Sequence, residues 1–351
     1  MSVFAVIMAG GVGSRFYPMS TDQKPKQFLS LFSQKSMIRE TYERILPMVD
    51  DEHIMVSTNS SFKSLVRESL SDIPINNLLM EPVGRNTAPA IGLAAVTALS
   101  RDPEAIVISL HSDHYIKKES RFLKILQRGV SLARTGRIVT LGITPTYPET
   151  GYGYISRGRQ HQGHDFEAYE VQSFVEKPDL AKAKSYLESG NYSWNAGMFI
   201  FKAQKIIDEI SIHCPELYEG LMELNSKIGT SKFNEAYSKL PTIAIDVAVM
   251  EKSSIVSMIP CDVGWSDVGS FYSLFKVHKG DENNNVRLSQ DFTLFSIDSH
   301  GNLTSTENSK SIALVGVSDL MVIDTSECLL VGRLEQAQDV KKILDLKSKL
   351  S

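Results

Sequence analysis

Apolar runs and amphipathic stretches alternate along the first 143 residues. The run Ser2–Met8 is β-rich and ends at glycine. From Ser36 to Val49, Met37, Tyr42, Ile45 and Leu46 fall at helical spacing. HIMVST (His53–Thr58) predicts a second strand, Ser61–Leu70 a helix and NLLMEP a third short strand. Asn86–Leu99 reads as an alanine-rich helix, with Asn86 or Thr87 as its N-cap and Pro89 in its first turn. AIVISL (Ala105–Leu110) is apolar without interruption, as a strand buried on both faces must be. Glu119–Arg134 predicts a helix and RIVTLGI another strand. Repeated strand–helix alternation predicts a doubly wound parallel sheet. Ligands of such sheets lie beyond the carboxyl ends of the strands. The glycine loop after Met8, the segment EPVGRNT and the segment HSDH are therefore expected on one rim.

Beyond residue 150 the alternation loosens. GYGYISR, YEVQSFVEKPD and NAGMFIF read as strands, and helices start at Leu180, Ala203 and Phe233. WSDVGSFYSLFKVH begins as a loop and becomes a helix. From about residue 285, the short strands FTLFSID, SIALVGV, LMVID and CLLVG are spaced by turn residues, and a polar helix closes the chain. This predicts domains 1–284 and 285–351, the second a small all-β appendage. It carries none of the charged motifs, so it is expected to serve dimerisation and not the active site.

Composition narrows the classes. Of 351 residues 42% are hydrophobic, enough for a sizeable core. The net charge of −4, from 37 basic and 41 acidic side chains, argues against general nucleic-acid binding. Cys214, Cys261 and Cys328 lie far apart without a CxxC pair, which argues against a disulfide framework or structural zinc. The N-terminal apolar run is too short for a membrane span and has no basic region before it. A cytoplasmic protein is the expectation.

The charged motifs point to phosphate. Gly10, Gly11 and Gly13 bare the backbone where N–H groups would face an anion. The pattern is GGxGxR, neither the ATPase loop GxxxxGK[ST] nor GxGxxG, because Arg15 stands where the third glycine would be. Arg15 offers a planar fork and Lys26 a movable point charge for phosphate oxygens. Asp113 follows a buried strand, as a magnesium ligand facing phosphate would, with capping as its bland alternative. His111 and His114 would admit zinc, but no third spaced ligand follows. Glu81 could accept two hydrogen bonds from the adjacent donors of guanine, a pair adenine lacks. Glu176 suits sugar hydroxyls and Lys177 a phosphate. Asn195, before a buried strand, and Asp246, at the head of a short helix, read first as caps when judged singly. Asp267, among small residues in GWSDVGS, could approach a metal or cap the helix through Phe271.

In order and spacing, GGVGSRFYP–PKQF, EPVGRNTAPA, SDH, GYGYI, FVEKPD, NAGMF, DVAVMEK and WSDVGS resemble the sugar-1-phosphate nucleotidyltransferases, in detail the bacterial mannose-1-phosphate guanylyltransferases. The resemblance covers about residues 3–278. It implies an α/β, Rossmann-like doubly wound mixed sheet (the nucleotide-diphospho-sugar transferase fold) with a small C-terminal β-helix-like appendage that helps such enzymes dimerise. It implies GMP transfer from GTP to mannose 1-phosphate with Mg²⁺. Arg15, Lys26, Asp113 and Asp267 would be catalytic, the two aspartates holding the metal. Ala9, Gly10, Gly11, Gly13, Ser14, Glu81, Gly84, Asn86, Thr87 and Ser112 would join Arg15 and Lys26 around the nucleotide. Gly153, Glu176, Lys177, Asn195, Gly197 and Asp246 would hold the sugar phosphate. Longer relatives carry an isomerase domain, an activity not expected of this chain. The chain departs from the family pattern at Ser14, Phe16, Tyr17, His111, Ala196 and Val247. Heptose or glucose 1-phosphate are the alternative acceptors, and a non-catalytic nucleotide-sugar-binding subunit is the alternative role. A nicotinamide dehydrogenase is disfavoured, because VSTN places no acid at the end of the second strand.

Overall fold

A computed structural model describes residues 1–11, 13–308 and 310–350, and Val12 of the glycine loop lies outside them. The chain divides into two compact units. The first comprises Met1–Gly10, Thr41–Ser112 and Ile116–Trp265; the second comprises Gly11–Glu40, Asp113–Tyr115 and Ser266–Ser351.

The first unit is built on a nine-stranded sheet. Its spatial order is Leu78–Glu81, Ile54–Asn59, Val3–Met8, Ile106–His111, Tyr192–Lys202, Ile138–Ile143, Val256–Cys261, Tyr169–Val175 and Tyr154–Gln160. The first four are mutually parallel, as the apolar runs predict. The sheet as a whole is mixed, because Tyr192–Lys202 runs antiparallel between Ile106–His111 and Ile138–Ile143. The alternation up to residue 143 gives no sign of this insertion, since the inserted strand comes from much later in the chain. Helices cover both faces. Phe199 and Phe201 join the core under the Thr87–Arg101, Ala203–His213 and Pro215–Asn225 helices. Ile200, between them, faces the other way and meets Gly129 of the Glu119–Ala133 helix. The alanines of Thr87–Arg101 let that helix lie close on the sheet, and nearly all its residues are buried. Among the described residues no helix is long and apolar enough to cross a membrane.

The parallel register fixes the rim. Met8 pairs with His111 and with Ser57, and Asn59 pairs with Glu81, so these strands all end on one edge. The glycine loop, EPVGRNT and HSDH all start from that edge, as the sequence predicts.

The second unit contains a short parallel β-helix. Val286 pairs with Leu303 and Leu303 with Met321, while Leu294 pairs with Ile312, so the chain returns on itself after about one strand–turn–strand repeat. An asparagine ladder holds the turns: Asn302 N–H donates to Asn285 Oδ1 at 3.1 Å, and Leu320 N–H donates to Asn302 Oδ1 at 3.0 Å. Leu329–Arg333 closes it antiparallel to Leu320–Asp324.

The core of this unit differs from the sequence expectation of a separate tail. Phe16, Tyr17, Leu29, Leu31 and Met37 are buried in one cluster with Phe271, Leu303, Ile323, Leu334 and Val340. The segment after the glycine loop and the C-terminal appendage thus share a core. Residues 16–37 carry their apolar groups without period, so the pattern could not say which surface they cover.

Candidate active site

In the second unit, Lys26 is the organising side chain. It sits at the start of the short 3₁₀ turn Lys26–Phe28 and is 4% exposed. Its Nζ donates to Asp113 Oδ2 at 2.9 Å, to the Asp113 carbonyl at 3.1 Å and to the Asp267 carbonyl at 2.8 Å. One buried ammonium therefore brings together two aspartates that stand far apart in the sequence. Gly13 makes room for it. With φ +71°, Gly13 lies so close that a Cβ there would be 2.5 Å from Lys26 Cβ. Gln27, which sequence reasoning passed over, is 2% exposed and donates Nε2–H to the Gly11 carbonyl at 2.9 Å, holding the loop. Its signal was its place beside Lys26 in Pro-Lys-Gln.

Arg15 lies in the 3₁₀ turn Ser14–Phe16 and is exposed. Its Nη1 donates to Gln338 Oε1 at 3.2 Å, a partner from the C-terminal appendage that no motif marks. Asp267 is not a helix cap. The cap of Phe271–Val277 is Ser270, in a capping box with Ser273, whereas Asp267 Oδ1 accepts from Gly269 N–H at 3.1 Å. Val268, buried and β-branched, is held at φ +47°, a conformation such residues avoid.

In the first unit, Glu81 ends its strand 6% exposed. Its Oε1 accepts from Ser57 Oγ at 2.7 Å and its Oε2 from Tyr237 OH at 2.8 Å. Burial pushes the Glu81 carboxyl above the usual range, and both hydroxyl bonds oppose that rise. Burial, then the Glu81 charge, raises the Tyr237 phenol. Asn86 caps the following helix, accepting Thr87 N–H at 2.8 Å, and does so at φ +66°. Thr87 Oγ1 accepts from Ile245 N–H at 2.9 Å. Arg85 is held by Thr242 Oγ1 and the Ser238 carbonyl. Ala9 and Ser112 are buried at strand ends, Ala9 donating to the Ser57 carbonyl at 2.7 Å and Ser112 to the Met8 carbonyl at 3.1 Å. Gly10, Gly11 and Gly84 have open space where a side chain would stand.

The other candidates of this unit form a connected group. Asn195 Nδ2 donates to Asp246 Oδ1 at 2.9 Å, while its Oδ1 accepts from Gly197 N–H and from Thr140 Oγ1, each at 3.1 Å. Asn195 N–H donates to the Gly153 carbonyl at 2.8 Å. A Cβ on Gly153 would come within 2.7 Å of Glu176 Oε2. Burial, with Glu176 nearby, pushes the Asp246 carboxyl up to about 6. Asp246 begins a π-helical turn, Asp246–Met250, and its side chain does not cap it. Lys177 pairs with Glu176 and adopts φ +46°. Asn86, Lys177 and Val268 thus place left-handed, non-glycine backbone in three of the charged motifs. Strain of this kind persists where the surroundings impose it, commonly at binding sites.

The profile of the nucleotidyl transferase family matches residues 4–284. The chain belongs to that family. A second profile, the mannoseP isomerase/GMP-like beta-helix domain, matches residues 294–346 of this nucleotidyl transferase. The chain is 41% identical over 349 residues to mannose-1-phosphate guanylyltransferase of Salmonella muenchen, covering 97% of this chain and 72% of that protein. It is 40% identical over 347 residues to mannose-1-phosphate guanylyltransferase of Klebsiella pneumoniae, covering 97% and 73%. A crystal structure described as mannose-1-phosphate geranyltransferase from Thermus thermophilus superposes with a TM-score of 0.90 at 32% identity, over 99% of this chain and 100% of that one. The nucleotidyl transferase fold and the β-helical appendage expected from the motifs are both present.

Proposed function

We propose that the chain transfers GMP from GTP to mannose 1-phosphate, giving GDP-mannose and pyrophosphate. The observation that carries this reading is the gathering of Asp113 and Asp267 by buried Lys26, in the unit that also holds the glycine loop and Arg15. The choice of guanine and mannose follows the names of the relatives.

The sugar phosphate brings its own nucleophile, an oxygen already ionised at neutral pH. No general base and no covalent intermediate are required. What resists reaction is repulsion between two polyanions and the charge growing on pyrophosphate, so positioning and electrostatics do the catalysis. Arg15 orients the triphosphate, with backbone of Gly10, Gly11 and Gly13 and with Ser14 alongside, while Lys26, whose three protons go to Asp113 and Asp267, adds its charge and holds the two aspartates. Glu81, Gly84 and Asn86 read guanine. Each Glu81 oxygen, already accepting one hydroxyl, keeps a second lone pair for a donor. Gly153, Glu176, Asn195, Gly197 and Asp246 hold the sugar, and Lys177 its phosphate.

Nucleotidyl transferases of this family use a divalent cation. Asp113 and Asp267, gathered through the Asp113 carboxylate and the Asp267 carbonyl on Lys26, would offer Mg²⁺ carboxylate oxygens of the hard type it takes. When bound, Mg²⁺ offsets the repulsion between the reacting phosphates.

A homodimer is the proposed assembly. Ile297 pairs with Val315 and Phe295 with Ala313, and Phe295, Ile297 and Val315 are 57%, 60% and 66% exposed. Such an apolar face suits a second copy. Cytoplasmic residence goes with this reading. Pyrophosphate release across a panel of nucleotides and sugar 1-phosphates tests the activity. GTP with mannose 1-phosphate should give the highest kcat/KM, and equal use of ATP and GTP would overturn the guanine assignment.

A further inference from the structure

The strand Ile106–His111 ends in a histidine to which none of the roles above is given. His111 Nε2 lies 3.1 Å from the Gly197 carbonyl oxygen. A carbonyl only accepts, so Nε2 carries the proton of this bond. The ring also presses on Gly197 itself: a Cβ there would be 2.8 Å from Nε2. Gly197 sits at φ +66°, so both the backbone conformation and the ring demand glycine.

The consequence runs further along the same peptide. Gly197 N–H donates to Asn195 Oδ1 at 3.1 Å, and Thr140 Oγ1 donates to the same oxygen at 3.1 Å. Of these two, the Gly197 N–H can only donate, so it fixes which end of the Asn195 amide is oxygen, whereas the Thr140 hydroxyl also reaches the Met198 carbonyl at 3.2 Å. That leaves Nδ2 to donate to Asp246 Oδ1 at 2.9 Å. If Gly197 turned, Asn195 Oδ1 would lose a donor, and its amide could present nitrogen and oxygen exchanged.

We infer that His111 is a positioning residue for the sugar-phosphate half of the site: by donating to the Gly197 carbonyl it sets the Asn195 amide and, through it, Asp246. This rests on the proposed sugar-binding role of that group. It predicts an effect on one substrate only.

The test is two-substrate steady-state kinetics on the native protein, His111→Ala and His111→Gln, with melting temperatures alongside. Loss of one such hydrogen bond should raise the KM for the sugar 1-phosphate about 3- to 15-fold in the alanine variant. The KM for GTP should stay within about twofold. The glutamine variant, whose amide N–H reaches the same carbonyl, should recover most of the loss. Gly197→Ala should also raise the sugar KM, and adding His111→Ala should relieve part of that effect, because the new Cβ meets the ring. If the alanine variant fails to fold, glutamine against the shorter His111→Asn reads the same contrast. An unchanged sugar KM in His111→Ala, an equal rise in both KM values, or no rescue by glutamine would overturn the inference. Native protein inactive on every sugar 1-phosphate would instead defeat the sugar-site reading, and this inference with it.

Discussion

Lys26→Met removes one ammonium while keeping a long side chain. In the folded chain that ammonium makes three hydrogen bonds, to the Asp113 carboxylate and to the carbonyls of Asp113 and Asp267. The lysine is 4% exposed, so methionine would leave these acceptors without a donor in a covered place. The Asp113 side chain is 34% exposed, and water reclaims part of that bond. Taking about 1 kcal/mol for each bond after that discount, the loss is about 3 kcal/mol. At about 2–4 °C per kcal/mol, the melting temperature should fall by about 6–12 °C. A second effect has the opposite sign. The Lys26 charge would oppose a divalent cation held by the same aspartates, since like charges repel in a poorly solvated place. Millimolar Mg²⁺ should therefore raise the melting temperature of Lys26→Met more than that of the native protein. On the proposed roles of Asp113 and Asp267, turnover should fall by at least about 100-fold, since the group that gathers them is lost. Scanning fluorimetry with and without Mg²⁺, beside pyrophosphate release, reads all three. A native melting temperature in Lys26→Met, or equal Mg²⁺ shifts in both proteins, would refute the reasoning.

Asp113→Asn and Asp267→Asn should each weaken the Mg²⁺ dependence of turnover, and the double variant should lose less than the product of the two; near-native activity of Asp267→Asn at low Mg²⁺ would remove Asp267 from the metal. Asp246, raised to about 6, keeps its proton better in the folded than in the unfolded chain, so native stability should fall as pH rises from about 4 through 6. Asp246→Asn should flatten that dependence by about 2 kcal/mol, read from melting temperatures between pH 4.5 and 8; parallel pH curves for the two proteins would contradict it. A chain ending at Gly280 should lose activity as well as the proposed dimer contact, because it strips Leu303, Ile323, Leu334 and Val340 from the core that covers Phe16 and Tyr17. A monomeric, fully active truncation, shown by light scattering and pyrophosphate release, would contradict that.

The parts of this fold that declare themselves in the sequence are those with a local cause. Ala105–Leu110 reads as a buried strand because every residue is apolar or small, and the glycines that begin at Gly10 end the first strand where the rim begins. The β-helical turns are legible through their short strands and the turn residues between them. What stays hidden depends on contacts between distant segments. Tyr192–Lys202 is legible as a strand, but not its place between Ile106–His111 and Ile138–Ile143. Asp267 reads from its neighbourhood as a metal ligand or a cap, but Ser270 takes the cap, and the Asp267 carbonyl shares Lys26 with Asp113, a contact no local pattern shows. Tyr237 and Ser57, the partners of Glu81, have no motif at all, since a hydroxyl that serves one buried carboxylate leaves no periodic trace.

The division of the chain gives the charged loop an unexpected dependence. Gly11–Glu40 comes early in the sequence, directly after the first strand, but it belongs to the unit completed by Ser266–Ser351. Phe16 packs at 5.0 Å, ring to ring, on Phe271, and Lys26 Nζ lies 5.6 Å from the Phe16 ring centre. Arg15, one residue earlier, reaches Gln338. A ring fixed in that core therefore carries an arginine on one side and lies beneath a lysine. Because packed cores shift between discrete arrangements more readily than they deform, a substitution at Leu334 or Ala337 acts on Arg15 and Lys26 without touching a motif. The appendage is then part of what gives Arg15 and Lys26 their positions, and a dimer contact made through its exposed Phe295, Ile297 and Val315 face would add to that function without replacing it.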